Sequence, residues 1–202
     1  YFTDQLQKFF IGADTELTTL EVRISDTTER FDYVAGLYYF DSSAEYFNDI
    51  LVQGVNVNSD GTADTEGYAI FGNVNFHLTD KWDLAAGLRY DDAKDEIDTA
   101  TVFSGITAAL DDENSFDHVS WSLKLRNYIS DDITAYLAID HAYKQGGFNG
   151  LVAGVQALSE GFGFPIPPVV EEAAAQMIDY DEETSDAIEL GIKGTFLDQR
   201  LS

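Results

Sequence analysis

Apolar and polar residues alternate with a period of two along much of the chain. Between Tyr68 and Leu78, one phase carries Tyr68, Ile70, Gly72, Val74, Phe76 and Leu78, and the other Ala69, Phe71, Asn73, Asn75 and His77. Thr79-Asp80-Lys81 interrupts the pattern as a short polar turn. It resumes with Trp82, Leu84, Ala86, Leu88 and Tyr90 against Asp83, Ala85, Gly87, Arg89 and Asp91. Successive side chains of an extended strand point to opposite faces. Two such runs joined by a tight turn therefore predict a β-hairpin with one apolar and one mixed face.

The unit recurs. Val119, Trp121, Leu123 and Leu125 alternate with Ser120, Ser122, Lys124 and Arg126 as far as a turn at Ser130-Asp131-Asp132. Ile133, Ala135, Leu137 and Ile139 then alternate with Thr134, Tyr136, Ala138 and Asp140. Ile188, Leu190 and Ile192 against Glu189, Gly191 and Lys193 begin a third hairpin, turning at 197–200. Leu20, Val22 and Ile24 precede a run from Phe31, across 25–30. Both phases of 31–41 are apolar, so the pattern leaves its faces unassigned.

Connections alternate in length. The turns at 25–30, 79–81, 130–132 and 197–200 are short, whereas 42–65, 92–115 and 145–184 are long and rich in Gly, Asp, Asn and Ser. Soluble sandwiches use strands of ~5–6 residues and short loops throughout. Runs of about ten residues, with short turns at one end and long loops at the other, instead predict a transmembrane β-barrel. The expected fold is all-β: an antiparallel barrel segment of about seven to eight strands from a larger barrel. Its short turns would be periplasmic and its long loops extracellular.

Aromatic spacing agrees. Tyr68 and Phe76 lie eight residues apart in one phase, as do Trp82 and Tyr90. Eight residues at ~3.4 Å, tilted ~45°, rise about 19 Å, close to the separation of the aromatic girdles that flank a ~25 Å apolar band. These four residues are the candidate lipid-facing girdle. Ordinary cross-strand aromatic pairing is the competing explanation.

Composition narrows the function. The 202 residues carry 37 acidic against 11 Lys and Arg residues, a formal net charge of −26, which argues against nucleic acid as a partner. There is no cysteine, hence no disulfide or thiolate chemistry. A mean hydropathy of −0.17 suits a barrel, in which only alternate residues face lipid. No signal peptide opens the chain, and the expectation is an internal piece of a longer protein.

Three stretches resemble the barrels of TonB-dependent receptors. Tyr68–Gly72 with Leu78-Thr79-Asp80-Lys81-Trp82 and Gly87-Leu88-Arg89-Tyr90 is similar to their "YALFG…LTD…GLRY" hairpin. Tyr143–Asn149 resembles their "YKxGGFN" strand end. Glu183-Thr184-Ser185 with Glu189–Lys193, then Phe196–Ser202, resembles "ETSxxYELGxK" and the "FxDxRLS" turn. The resemblance implies a barrel of about twenty-two strands filled by an N-terminal plug. Residues 1–202 would be a partial barrel domain, with plug and barrel ends absent. It also implies a Gram-negative outer-membrane location, contact with outer-membrane lipid, and import of a scarce nutrient. That nutrient would be a ferric siderophore, a cobalamin, haem or an oligosaccharide, moved with energy from the TonB complex through the plug region. Two alternatives stay open: a passive porin-like barrel, and a secreted β-sandwich adhesin or carbohydrate-binding module.

No catalytic constellation emerges, and no enzyme activity or cofactor is expected. His77, His118 and His141 are scattered, and Gly146-Gly147-Phe148-Asn149 lacks the Lys-Ser/Thr of a phosphate loop. Asn56, Asn58 and Asp60 before Gly61 match the first half of a calcium loop, but Gly67 stands where the bidentate Glu belongs. Read from Asp41 to Asp64, Asp91 to Glu113 and Glu160 to Glu183, the long connections hold twenty acidic residues and one basic residue, Lys94. Such crowded carboxylates would bind divalent cations. Arg23, Arg89, Lys124, Arg126, Lys144 and Lys193 fall in the phase opposite the apolar face. Of these, Arg89, Lys124, Arg126 and Lys193 are the candidates for facing a ligand or a plug. The avoidance of charge in lipid would place them there regardless of substrate.

Overall fold

A computed structural model describes residues 8–52, 55–103, 105–148 and 179–195. Nine strands and no helix occur among them: β1 (Lys8–Thr27), β2 (Phe31–Val52), β3 (Val55–Thr79), β4 (Trp82–Phe103), β5 (Ile106–Ser130), β6 (Ile133–Lys144), β7 (Gly147–Phe148), β8 (Asp179–Tyr180) and β9 (Glu183–Gly194). Seven form one antiparallel sheet in the order β1-β2-β3-β4-β5-β6-β9, and β7 pairs with β8 in a separate two-stranded ribbon.

The expected short turns are short, and side-chain hydroxyls shape them. The Thr28 hydroxyl oxygen accepts from the Phe31 amide at 3.0 Å, that of Thr79 from the Lys81 amide at 3.2 Å, and that of Ser130 from the Asp132 amide at 3.3 Å. The ladder slips beside two of these turns, between His77 and Thr79 and between Tyr128 and Ser130. The turn at 197–200 lies outside the described residues.

At the other end the expectation of long loops fails. Residues 42–52 and 55–65 are continuations of β2 and β3, and 92–103 and 106–115 continue β4 and β5, all in unbroken antiparallel register. The β4–β5 hairpin closes near Gly105, whose φ of +84° is a left-handed conformation suited to glycine. Alternating hydropathy reports that two faces meet different surroundings; it does not report the strand itself. Beyond Tyr68 and Tyr90 the outer phase turns from apolar to acidic, so the apolar pattern is lost while the backbone ladder continues. Of the third connection, 145–184, residues 149–178 lie outside the described residues.

The register defines two faces and settles 31–41. Leu37 stands opposite Val22 and Ile70, Tyr39 opposite Tyr68, and Phe31 opposite Phe76. The odd residues of β2 therefore share the apolar outer face. Val34, Gly36, Tyr38 and Phe40 share the inner face with Asn73, Phe71, Ala69 and Gly67. Burial is inverted relative to a water-soluble sheet. The buried residues Ala69, Asp83, Asp91, Ala93, Ile97, Thr99, Thr101, Phe116 and Ala138 all lie on the inner face. Leu37, Tyr68, Ile70, Phe76, Trp82, Leu88, Val119, Trp121, Leu123 and Leu137 are exposed on the outer one. Inner side chains also touch across an intervening strand, as they do on the concave side of a curved sheet.

Candidate functional site

The inner wall carries the polar chemistry, in three tiers. Nearest the short turns, the buried carboxylate of Asp83 gathers donors from two flanking strands. Tyr128 donates its hydroxyl at 2.8 Å, the His77 Nδ1 stands 3.0 Å away, and the Asn75 amide donates at 3.5 Å. His77 Nε2 meets Asp32 at 3.2 Å. Arg126, one of the sequence candidates, donates to the side-chain oxygen of Asn75 at 3.3 Å and to the Tyr128 hydroxyl at 3.5 Å. Its Nε and the Asp32 Oδ1 are buried without a hydrogen-bond partner among the described residues.

The second tier lies on β5, β6 and β9. The Tyr136 ring sits beneath two ammonium groups, Lys124 Nζ at 4.5 Å and Lys193 Nζ at 5.4 Å from its centroid. Its hydroxyl bonds to Glu189. An aromatic face attracts cations, so one ring holds both ammonium groups. Among the described residues neither lysine makes an ion pair.

Arg89 belongs to the third tier and is already matched. Its Nε and Nη2 grip Asp91 at 2.6–2.9 Å, and its guanidinium lies over the rings of Tyr38 and Phe71 at 5.6 and 5.9 Å. Of the four cationic candidates, then, Lys124 and Lys193 meet around one ring. Arg126 and Arg89 instead enter separate networks.

On the outer face Tyr68 and Tyr90 lie at one end of the apolar zone and Phe76 and Trp82 at the other. Tyr39 and Tyr90 direct their hydroxyls to Glu66 at 3.0 Å and Asp92 at 3.3 Å, away from the apolar zone. Beyond these tyrosines the outer face becomes acidic. Asp41, Asp64, Glu66, Asp92, Glu96, Glu113 and Asp117 share it with Lys94. The ammonium of Lys94 touches Glu113 and Glu96, each at 2.6 Å, and these carboxylates raise its pKa above the ordinary value.

The calcium-loop reading is overturned. Asn56, Asn58 and Asp60 lie in β3, paired with Leu51, Asp49 and Phe47, and Gly61 continues the strand. Alternate residues of a strand stand about 7 Å apart, too far to wrap one ion at ~2.4 Å bonds. Among the described residues no group of three or more metal-ligating side chains occurs.

Asp83, Tyr128, Asn75 and Tyr136 were missed as site residues by the sequence reading. Asn75 and Asp83 carried a signal, because the turn at Asp80-Lys81 sets His77 opposite Asp83, whereas Tyr128 is aligned with Asp83 by the β4–β5 hairpin that had read as a long loop. Tyr136 needed the pairing of β6 with β9, which a 38-residue separation hides.

A long-stranded antiparallel meander that exposes an apolar face and buries a polar one has the architecture of an outer-membrane β-barrel wall. The family model described as TonB dependent receptor-like, beta-barrel matches residues 2–202, and the chain belongs to that family. TonB-dependent receptors are outer-membrane transport receptors of Gram-negative bacteria. Among solved structures, the ferric yersiniabactin uptake receptor FyuA from Yersinia pestis is similar with a TM-score of 0.75 at 18% identity. The likeness covers 94% of this chain but 28% of FyuA, and at this identity it speaks for the fold alone. No sequence among the curated proteins matches the chain.

Proposed function

We propose that the full protein is an outer-membrane receptor that imports a scarce nutrient with energy from the TonB complex, and that it is not an enzyme. This chain would be one sector of its barrel wall. The observation that carries the reading is the inverted burial: exposed Leu, Ile, Val and Trp side chains on the outer face, polar and charged ones inside. Lipid suits the first face and a hydrated lumen the second. Tyr68 and Tyr90 then mark the outer interface, with ring in lipid and hydroxyl towards water, and Phe76 and Trp82 the periplasmic one. The acidic outer belt above the tyrosines falls at the headgroup level.

Within the lumen, Lys124 and Lys193, which make no ion pair among the described residues, suit an anionic ligand, such as a ferric chelate. Arg126, whose buried Nε lacks a partner among the described residues, suits an acceptor on a plug docked near the periplasmic end. Plug, TonB contact and nutrient belong to the whole protein and are proposals. The test is to express the full-length protein, fractionate membranes and follow uptake of labelled ferric siderophores with and without proton-motive force. The account expects outer-membrane recovery, a heat-modifiable gel band and energy-dependent uptake. Recovery as a soluble secreted monomer would sink it, and uptake indifferent to energy would favour the porin-like alternative.

A further inference from the structure

Above the apolar zone β6 leaves β5. Their pairing ends at His141 opposite Trp121, while β6 stays with β9 up to Lys144 opposite Glu183. The chain then folds against the inner wall. Gln145 donates to Asp95 at 2.8 Å, and Gly146 lies so close to Phe116 that a Cβ there would stand 2.6 Å from the ring. β7 and β8 follow at this point. In the gap left by β6, four side chains form one line. His118 Nδ1 faces Glu182 at 3.3 Å, His118 Nε2 faces His141 Nε2 at 3.2 Å, and His141 Nδ1 faces Asp186 at 2.7 Å.

Proton counting makes this arrangement informative. An ionised carboxylate only accepts, so both Nδ1 atoms must carry hydrogen. If both rings were neutral, two bare Nε2 lone pairs would then oppose each other at 3.2 Å. Something positive must lie between them. A tetrahedral zinc ion bonded to both imidazole nitrogens at ~2.0–2.1 Å would hold them about 3.3 Å apart, so the ligand set, not the distance, separates ion from proton. Zinc would find two nitrogens here where it needs four ligands, because both carboxylates lie on the far Nδ1 atoms and, among the described residues, no group of three or more His, Asp or Glu is placed to hold a metal; 3.2 Å is also an N–H···N separation. The geometry therefore favours a proton: one imidazole and one imidazolium.

We propose that Glu182, His118, His141 and Asp186 close around one shared imidazole proton and thereby latch the β7–β8 ribbon to the inner wall, releasing it when that proton is lost or a second is gained. A second proton would set two N–H groups against each other; loss of the first restores the opposed lone pairs. The surrounding charged and titratable groups do not substitute for it. On β4, Arg89 and Asp91 neutralise each other, and Lys144 faces Glu183 at 3.5 Å. Asp117 and Asp140 flank the histidines in sequence. The Tyr143 phenol, stacked on His118 at 4.3 Å, is pushed up to about 12 by burial and then by Asp91, and stays neutral. Histidine is the side chain that changes charge between about pH 5 and 8.

The test is hydrogen exchange on the full-length receptor in lipid nanodiscs between pH 4 and 9, read as protection factors for the amides of 145–148 and 179–182. Protection should peak within the interval and fall about tenfold on each side, the scale of one charge-assisted hydrogen bond. His141→Gln should abolish the peak while leaving β3–β4 protection unchanged. Asp186→Asn is the sharper variant. An amide can donate to Nδ1, so His141 can supply its Nε2 hydrogen while neutral. The alkaline fall should then vanish and the acid fall remain. Protection that ignores pH, an alkaline fall that survives Asp186→Asn, or protection restored at alkaline pH by zinc chloride would overturn the shared proton.

Discussion

The guanidinium of Arg126 on β5 reaches across β4 to the side-chain oxygen of Asn75 on β3, 3.3 Å away. Tyr128 makes the shorter span from β5 to Asp83 on β4. Contacts that skip a strand require the inner face to be concave, so these residues tie the sheet's curvature to its polar lining. Asp83 is the hub, and its removal leaves buried donors unmatched. Asp83→Ala should cost about 3 kcal/mol, and Tyr128→Phe about half as much. The check is urea unfolding of the full-length barrel in lipid, followed by its heat-modifiable band.

Reversing charge at Arg126 tests the plug contact. Arg126→Glu should raise passive leakage of small solutes through the full-length receptor without changing its affinity for nutrient. Unchanged leakage with weaker nutrient affinity would move Arg126 to the ligand; no change in either would make it a solvated wall charge.

Facing has a steric and electrostatic cost that differs by residue. Leu123 is exposed on the outer face and Ser122 lies on the inner one. Leu123→Arg should impair assembly by about 2–4 kcal/mol near the bilayer centre, and Ser122→Arg far less. Folded yield in outer-membrane fractions measures the difference.

Asp95 gives a pH dependence of known sign. Burial raises its pKa above the ordinary carboxylate value, although hydrogen bonds from Thr65 and Gln145 pull it back. A carboxyl raised by folding destabilises the folded state when ionised, so its penalty is present at neutral pH and disappears as pH falls through the carboxylate range. Asp95→Asn should therefore stabilise the barrel at pH 7, and this advantage should shrink towards pH 4. Thermal midpoints of both forms across that interval decide it.

The hairpins around Asp80-Lys81 and Asp131-Asp132 were legible because lipid and lumen impose opposite demands on alternate residues, writing their register into the sequence. The same logic failed at 31–41, where Tyr38 and Phe40 put apolar rings on the inner wall beside Arg89 and Gly67. It failed again above Tyr68 and Tyr90: there the outer face turns acidic while Ala93, Ile97, Thr99 and Thr101 are buried on the inner one, so 55–65 and 92–103 kept the ladder but lost the apolar outer phase, and read as loops. Of the site, Arg126 and Lys124 were visible as charges in the inner phase. The His118–His141 meeting was not, because it depends on β6 parting from β5, and no pattern along either strand records that separation.

The central claim is that this sheet is a membrane wall with lipid on one face and water on the other. These 202 residues contain no cysteine, so single cysteines can be placed at each position from Val119 to Arg126 of a full-length receptor cleared of any cysteine elsewhere. A spin label at each reports collision with oxygen, enriched in lipid, and with a water-soluble nickel chelate. The account predicts strict alternation, with 119, 121, 123 and 125 oxygen-accessible and 120, 122, 124 and 126 accessible only from water. Uniform accessibility along the strand, or alternation in the opposite phase, would contradict it.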